Sequence, residues 1–412
     1  MVQRRVFLKS GALAFLSLGL TPGFMWRTVW AEANRRRKTL VCIFQRGAVD
    51  GLNVIVPFAE PNYYRMRPRI AVPQPGARDG AALNVDGRFA FHPVLAPFKE
   101  LYDRGMLAAV QAVGSPSATR SHFDAQFFME TAVPDYKSVQ DGWLNRALSA
   151  ADLSDPQGHQ YLRAVAMTES MPVALKGTES AVAVSDLESF LSGPPAGLEA
   201  FEALYDEDSG DAVLGGPGRE AAEAIKVLRE NDPRRYQPVV DYPGSPFGHS
   251  MMEIAQLIKA DVGLEIAFAD VGGWDTHVNQ GASQGQLALR LRDFGDSIAA
   301  FCADLGDRME DVVVLTMSEF GRTARENGNA GTDHGHANCL FVIGGSVRGG
   351  TIHGEWPGLE PEQLYEGRDL ALTTDFRNVF AEVLSSHLGI ENLDRVFPHY
   401  QVNRAKFFGL MG

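Results

Sequence analysis

The sequence predicts a layered α/β fold on a largely parallel central sheet, and three observations carry that expectation. Six apolar runs read as buried strands: 39–45, 106–113, 162–167, 264–269, 311–317 and 338–343. Most are nearly continuous in Val, Ile, Leu and Ala, with little alternation, as expected of strands covered on both faces. Helical stretches lie between them, so strands and helices alternate along the chain. The composition, 45% hydrophobic and 22% charged over 412 residues, is that of a globular protein and excludes disordered or low-complexity chains.

Taken in order, residues 1–33 are set aside from the fold. Gln3-Arg4-Arg5-Val6-Phe7-Leu8-Lys9 places two arginines before an apolar pair and a lysine. Residues 11–20 are apolar but too few to span a bilayer comfortably, and Ala31-Glu32-Ala33 offers small residues for cleavage. This segment resembles a twin-arginine signal peptide. It implies the twin-arginine export machinery as a partner and a periplasmic or secreted product, membrane-anchored if the leader is retained. The remaining 34–412 forms the domain. Within it, 190–217 is rich in Gly, Pro and acids, including Gly193-Pro194-Pro195 and Asp206-Glu207-Asp208. The wider span 130–245 reads as an insertion or cap, with a flexible loop near 205–218. Helices are expected at 218–230, 249–260 and 283–308. The last is clearest, with Leu287, Leu291, Phe294, Ile298 and Phe301 at helical spacing.

Charge and cysteine content narrow the function. Thirty-eight basic residues against 51 acidic ones leave a net charge of −13, which argues against a nucleic-acid partner. Three cysteines, at 42, 302 and 339, exclude a disulfide framework and a Cys-rich zinc site. Cys42 and Cys339 fall in strand-like runs and read as small buried hydrophobes.

Residues able to do chemistry gather near strand ends. Asp50 follows the first strand in Arg46-Gly47-Ala48-Val49-Asp50-Gly51, either as a turn aspartate or as a ligand outside the carboxyl edge of the sheet. Asp275 and His277, in Gly272-Gly273-Trp274-Asp275-Thr276-His277, can face one ion from a loop or simply shape a turn. Glu319 follows the strand 311–317, and Arg322 either pairs with it or binds an anionic substrate. Asp333-His334-Gly335-His336 has the densest ligand character, but it precedes a strand. It joins the others only if that strand is antiparallel or the loop folds back. Ser121, after Arg120, is either a metal-activated nucleophile or a helix N-cap. Arg120 is a candidate for holding a substrate anion. Histidines 92, 159, 249, 353, 387 and 399 lack acidic or His neighbours at ligand spacing and read as structural.

The leader, the Arg46–Asp50 turn, Ser121-His122-Phe123-Asp124, Gly142-Trp143-Leu144-Asn145-Arg146, the 273–277 and 318–322 segments and the 333–336 run together resemble a bacterial family of exported proteins, domain of unknown function 1501. That family is similar to the alkaline phosphatase and sulfatase superfamily. The resemblance implies a three-layer α/β/α sandwich, alkaline phosphatase-like, with divalent metal ions and a hydroxyl nucleophile. It places Asp50, Asp275, His277, Glu319, Asp333, His334 and His336 as metal ligands, with zinc, manganese and calcium open. Ser121 would attack a small phosphate or sulfate ester held by Arg120 or Arg322. Two departures stand out. Phe320 occupies a position where the superfamily has a histidine, and Ser115-Pro116 breaks the pattern of formylglycine sulfatases. The expected function is therefore an exported metal-dependent ester hydrolase. The alternative is a non-catalytic envelope binding or assembly protein that keeps the fold.

Overall fold

A computed structural model describes residues 37–151, 162–192 and 223–412. The chain divides into Met1–Arg37 and Lys38–Gly412. The leader and the acidic loop near 205–218 lie outside the described residues. Among the described residues no helix is long and apolar enough to cross a membrane.

The strands in chain order are β1 (Thr39–Gln45), β2 (Ile55–Val56), β3 (Leu83–Asn84), β4 (Ala90–Phe91), β5 (Leu107–Gly114), β6 (Ala164–Met167), β7 (Val182–Ala183), β8 (Ile266–Val271), β9 (Val312–Met317), β10 (Asn338–Gly344), β11 (Thr351–His353) and β12 (Thr374–Asp375). The main sheet runs β11-β5-β10-β9-β1-β8-β6-β7, with β12 beside β5; β2, β4 and β3 form a small separate sheet. Main-sheet pairings are parallel except the two made by β10, with β5 and β9.

The near-continuous apolar runs have the expected cause. Alternate side chains of each central strand enter opposite cores, because successive residues point to opposite faces. Val41 and Ile43 of β1 join Ala267, Val314 and Phe341 in one apolar cluster, whereas Leu40, Cys42 and Phe44 join Phe268, Leu315 and Val342 in another. The principal helices are α1 (Ala96–Asp103), α2 (His122–Thr131), α3 (Trp143–Ala150), α4 (Pro246–Lys259), α5 (Gln286–Leu305) and α6 (Phe376–His387). Side chains of α1, α4 and α5 pack in the first cluster, and those of α3 and α6 in the second. The result is a three-layer α/β/α sandwich with a mixed, mostly parallel sheet.

The expected strand 264–269 pairs only from Ile266, and 162–167 only from Ala164. Leu162 and Leu264 are nonetheless buried, so apolar character there marks burial and not pairing. Strands of two or three residues, such as β7, β11 and β12, are too short to leave a periodic signal. Within 130–245, β6 and β7 belong to the main sheet, and 223–230 is helical. All three cysteines are free and buried, and burial pushes the Cys302 thiol up to about 12.

Two buried histidines tie stability to pH. His387 Nε2 lies 3.0 Å from the Thr39 carbonyl, and His92 Nε2 lies 2.8 Å from that of Ala282. Burial lowers both imidazoles from 6.5 to about 4. The folded value lies below the unfolded one, so this contribution is full above the unfolded value and is lost as pH falls toward the folded value, by roughly 2–3 kcal/mol per group. Urea unfolding at neutral and mildly acid pH is the check. His387→Gln is expected to lose less stability on acidification than wild type; equal losses count against this account.

Candidate metal centre

The sheet topology explains why distant segments meet. Strands β1, β5, β8 and β9 end at one edge because they run in the same direction, whereas β10 begins there because it runs the other way. The segments after β1, β5, β8 and β9 therefore reach the same place as the segment before β10. The condition under which 333–336 joins the strand-end acids is met by the antiparallel setting of β10. Beyond β9 the pairing continues loosely: Arg322 and His334 form an antiparallel bridge, Gly321 N donates to the His336 carbonyl at 2.8 Å, and Gly335 N to that of Gly321 at 2.8 Å. A Cβ on Gly321 would lie 1.8 Å from the Ala337 carbonyl oxygen, so this crossing requires glycine.

At this edge His122, Asp275 and His334 each present one ligand atom, all within 4.8 Å of one another. His334 Nε2 lies 3.0 Å from His122 Nε2 and 3.3 Å from Asp275 Oδ1. His277 adjoins them, its Nε2 3.0 Å from His334 Nε2 and 2.9 Å from Asp275 Oδ1.

The other ring nitrogens are each anchored to an acceptor. His122 Nδ1 lies 2.7 Å from Glu319 Oε1, His277 Nδ1 lies 3.0 Å from Asp333 Oδ1, and His334 Nδ1 lies 2.8 Å from the Arg120 carbonyl. Carboxylates and carbonyls only accept, so each Nδ1 carries a proton, and in the Nδ1–H form of each ring the Nε2 lone pair turns toward the same space, where the Asp275 carboxylate also lies. Lone pairs 3.0 Å apart repel unless a cation lies against them. Imidazoles anchored through the second nitrogen to a carboxylate or carbonyl are the usual setting of metal-bound histidine. The residues present therefore fit a divalent ion.

Surrounding groups hold the charges in place. Glu319 is fully buried and accepts from the Gly47 amide at 2.8 Å and from Gln126 Nε2 at 2.8 Å. Burial pushes its carboxyl up, but the hydrogen bonds from His122, Gln126 and Gly47 outweigh this and hold it below the usual range. The bond to Glu319 raises the His122 imidazole above its ordinary value, and burial lowers that of His334. Burial also pushes Asp275 up, but the Arg322 guanidinium, 2.6 Å away, holds it low. Gly47 has φ +117°, and a Cβ there would lie 2.9 Å from the Asp275 amide nitrogen. Its missing side chain lets the turn after β1 touch both Glu319 and the 274–275 backbone.

Several expected site residues lie elsewhere. Asp50 is not turned to the histidines: its carboxylate is held by Arg67, at 2.6 and 2.9 Å, and by Gln280 at 2.6 Å. With strong donors on both oxygens it is a structural ion pair. Glu319 and Asp333 stand behind His122 and His277 as orienting carboxylates. Arg322 pairs with Asp275, not with neighbouring Glu319. The Arg120 guanidinium is paired with Glu366 and Asp369, both at 2.7 Å, and only its carbonyl reaches the cluster. Ser121 is the N-cap of α2, its exposed hydroxyl 3.5 Å from the Asp124 amide. Nothing joins that hydroxyl to the histidines among the described residues. His336 is buried and stacks on Tyr365, ring centroids 4.2 Å apart. Phe320 packs against both rings, 4.9 Å from His122 and 5.1 Å from His334.

The residue that sequence reasoning passed over is His122. It follows Ser121 in a polar loop-to-helix turn that reads as an ordinary helix start. Arg67 was equally unmarked. A second group, Asp186, His249 and Glu253, also clusters within 4.8 Å. His249 therefore does have acidic neighbours, one of them a helical turn away at Glu253.

Among curated proteins none matches the chain in sequence. Among solved structures, it is similar to the lipoteichoic acid synthase LtaP from Listeria monocytogenes, at TM-score 0.38 and 8% identity over 87% of this chain and 73% of that one. It is also similar to the PsFucS1 sulfatase from Pseudoalteromonas sp., at TM-score 0.33 and 11% identity over 79% of this chain and 66% of that one. Residues 37–397 match the family described as "Protein of unknown function (DUF1501)", and the chain belongs to that family.

Proposed function

We propose that the protein is a metal-dependent hydrolase of phosphate or sulfate esters, acting with one divalent ion held by His122, Asp275 and His334. The observation that carries this reading is the convergence of His122, Asp275 and His334, whose ligand atoms lie within 4.8 Å of one another, with both imidazoles anchored through Nδ1. Two nitrogens and a carboxylate suit zinc or manganese better than calcium, which takes oxygen ligands. When bound, such an ion supplies Lewis acidity and charge neutralisation for an anionic ester. Phe320 takes up neighbouring space and favours one ion over two.

The chain's own residues supply orientation and proton transfer. His277 is the half-exposed imidazole of the group, with Asp333 on its Nδ1. That arrangement suits a general base whose Nε2 takes a proton from an attacking water and returns it to the leaving oxygen, while Asp333 fixes the tautomer. Ser121 is assigned no attack, because its hydroxyl is engaged as a cap. Arg322, 1% exposed, has Nε and Nη1 without partners, so positive charge is present beside the cluster. The leader read in residues 1–33 supports action in the periplasm or outside the cell.

The test is hydrolysis of aryl phosphates and aryl sulfates by the purified protein with added zinc or manganese. Turnover is expected with at least one ester class, abolished by chelation, restored by the ion, and reduced by His277→Gln without loss of bound metal. Metal-loaded protein inert toward both classes would favour the non-catalytic binding role.

A further inference from the structure

A cleft of about 490 Å³ opens beside the metal centre, between the 62–66, 323–333 and 359–368 segments. It shares two residues with that centre: Asp333, which orients His277, and Arg368, whose Nη2 donates to the His334 carbonyl at 2.7 Å. Its volume is in the usual range for a small-molecule site.

The charges lining it are unbalanced. Arg65, Arg325 and Arg368 are cationic, and of these Arg368 has Asp369 3.7 Å from its Nε. Both acids on its wall are already engaged: Glu326 is held by Arg69 at 2.6 Å, and Asp333 by His277 and Asn327, both at 3.0 Å. The Arg65 guanidinium reaches only Asn62, at 2.8 Å, and Glu360, at 3.9 Å across solvent. Arg325 is exposed and makes no side-chain hydrogen bond or ion pair among the described residues. Met66 and Leu364 add apolar surface to the same walls. A protein of net charge −13 repels anions overall, so a local excess of arginine beside a cation site has a recognition consequence.

We infer that this cleft binds the organic part of the substrate, an apolar body carrying an oxyanion of its own, set apart from the ester at the histidines. The substrate class is thus an ester of an amphipathic organic anion. The assignment of that molecule as substrate rests on the hydrolase reading; the binding does not. Guanidinium forks match phosphate, sulfate and carboxylate oxygens, and the apolar wall accepts the body that joins them to the ester.

The experiment uses naphthalenetrisulfonate, a fluorescent, non-hydrolysable aromatic anion, titrated into the full protein with zinc and after chelation. Saturable binding is expected in both states. Arg325→Ala should weaken it about tenfold, Arg65→Ala combined with Arg325→Ala should weaken it further, and Arg325→Lys should keep most of it. Both arginines are exposed, so folding is not at risk, and circular dichroism confirms it. Added salt should weaken binding, and inorganic sulfate should displace the probe only at far higher concentration. No saturable binding, equal affinity in the arginine variants, or displacement by sulfate at matching concentration would overturn the inference. Arginine-dependent binding of the probe by a protein that takes up no zinc would support the cleft and sink the hydrolase reading.

Discussion

His334→Ala is expected to abolish divalent-ion binding at the proposed centre, the largest functional effect of any single substitution considered. His334 is the hub of the cluster, its Nε2 3.0 Å from both neighbouring imidazole nitrogens and 3.3 Å from Asp275. Loss of an outer partner of a metal-bound histidine typically costs about 10–100-fold in affinity, so removal of a direct ligand should cost more. Competition titration against a chromogenic chelator gives the numbers. Glu319→Gln keeps the shape behind His122 but removes the charge, and should fall in that 10–100-fold range. His336→Ala should leave affinity unchanged, because His336 packs on Tyr365 away from the cluster. Wild-type affinity in His334→Ala would refute the assignment.

Asp50→Ala is expected to cause the largest loss of stability. Arg67 is fully buried and clamps separate stretches of chain: Asp50 and Asn53 after β1, and the carbonyls of Thr323 and Ala324 after β9. Removing the carboxylate leaves a buried guanidinium without its counter-charge, at a cost of about 3–5 kcal/mol. Urea unfolding measures it, or the variant fails to accumulate as folded protein. Asp50→Asn retains the shape and should be destabilised less. Its metal stoichiometry should match wild type, since Asp50 has no place in the cluster. A stable Asp50→Asn protein that binds no metal would restore Asp50 as a ligand and contradict the structural account.

Much of the architecture was legible because burial on both faces writes itself into sequence. The runs that became β1, β5, β9 and β10 are apolar at nearly every step, with Gln111 and Thr316 the interior exceptions, since alternate residues face two different cores. The shared edge followed from placing Asp275 and Glu319 after strands. The direction of β10 was not legible, because an apolar run looks the same in either sense. The candidate site was half legible for a related reason. Asp275, His277 and His334 stand in dense polar motifs, so residue type flagged them. What a carboxylate faces is decided by partners distant in sequence. Asp50 meets Arg67 and Gln280, while Glu319 meets His122, 197 residues earlier. Short-range spacing carries no trace of such pairs, and His122 itself has no histidine or acid at helical spacing to mark it.

The central claim is that His122, Asp275 and His334 enclose one divalent cation, and anomalous diffraction from crystals of the zinc-loaded protein tests it most directly. The account predicts a strong peak about 2.0–2.2 Å from the Nε2 atoms of His122 and His334 and from an Asp275 oxygen, the distances expected for zinc. No peak there, or a peak only beside Asp186, His249 and Glu253, would contradict it.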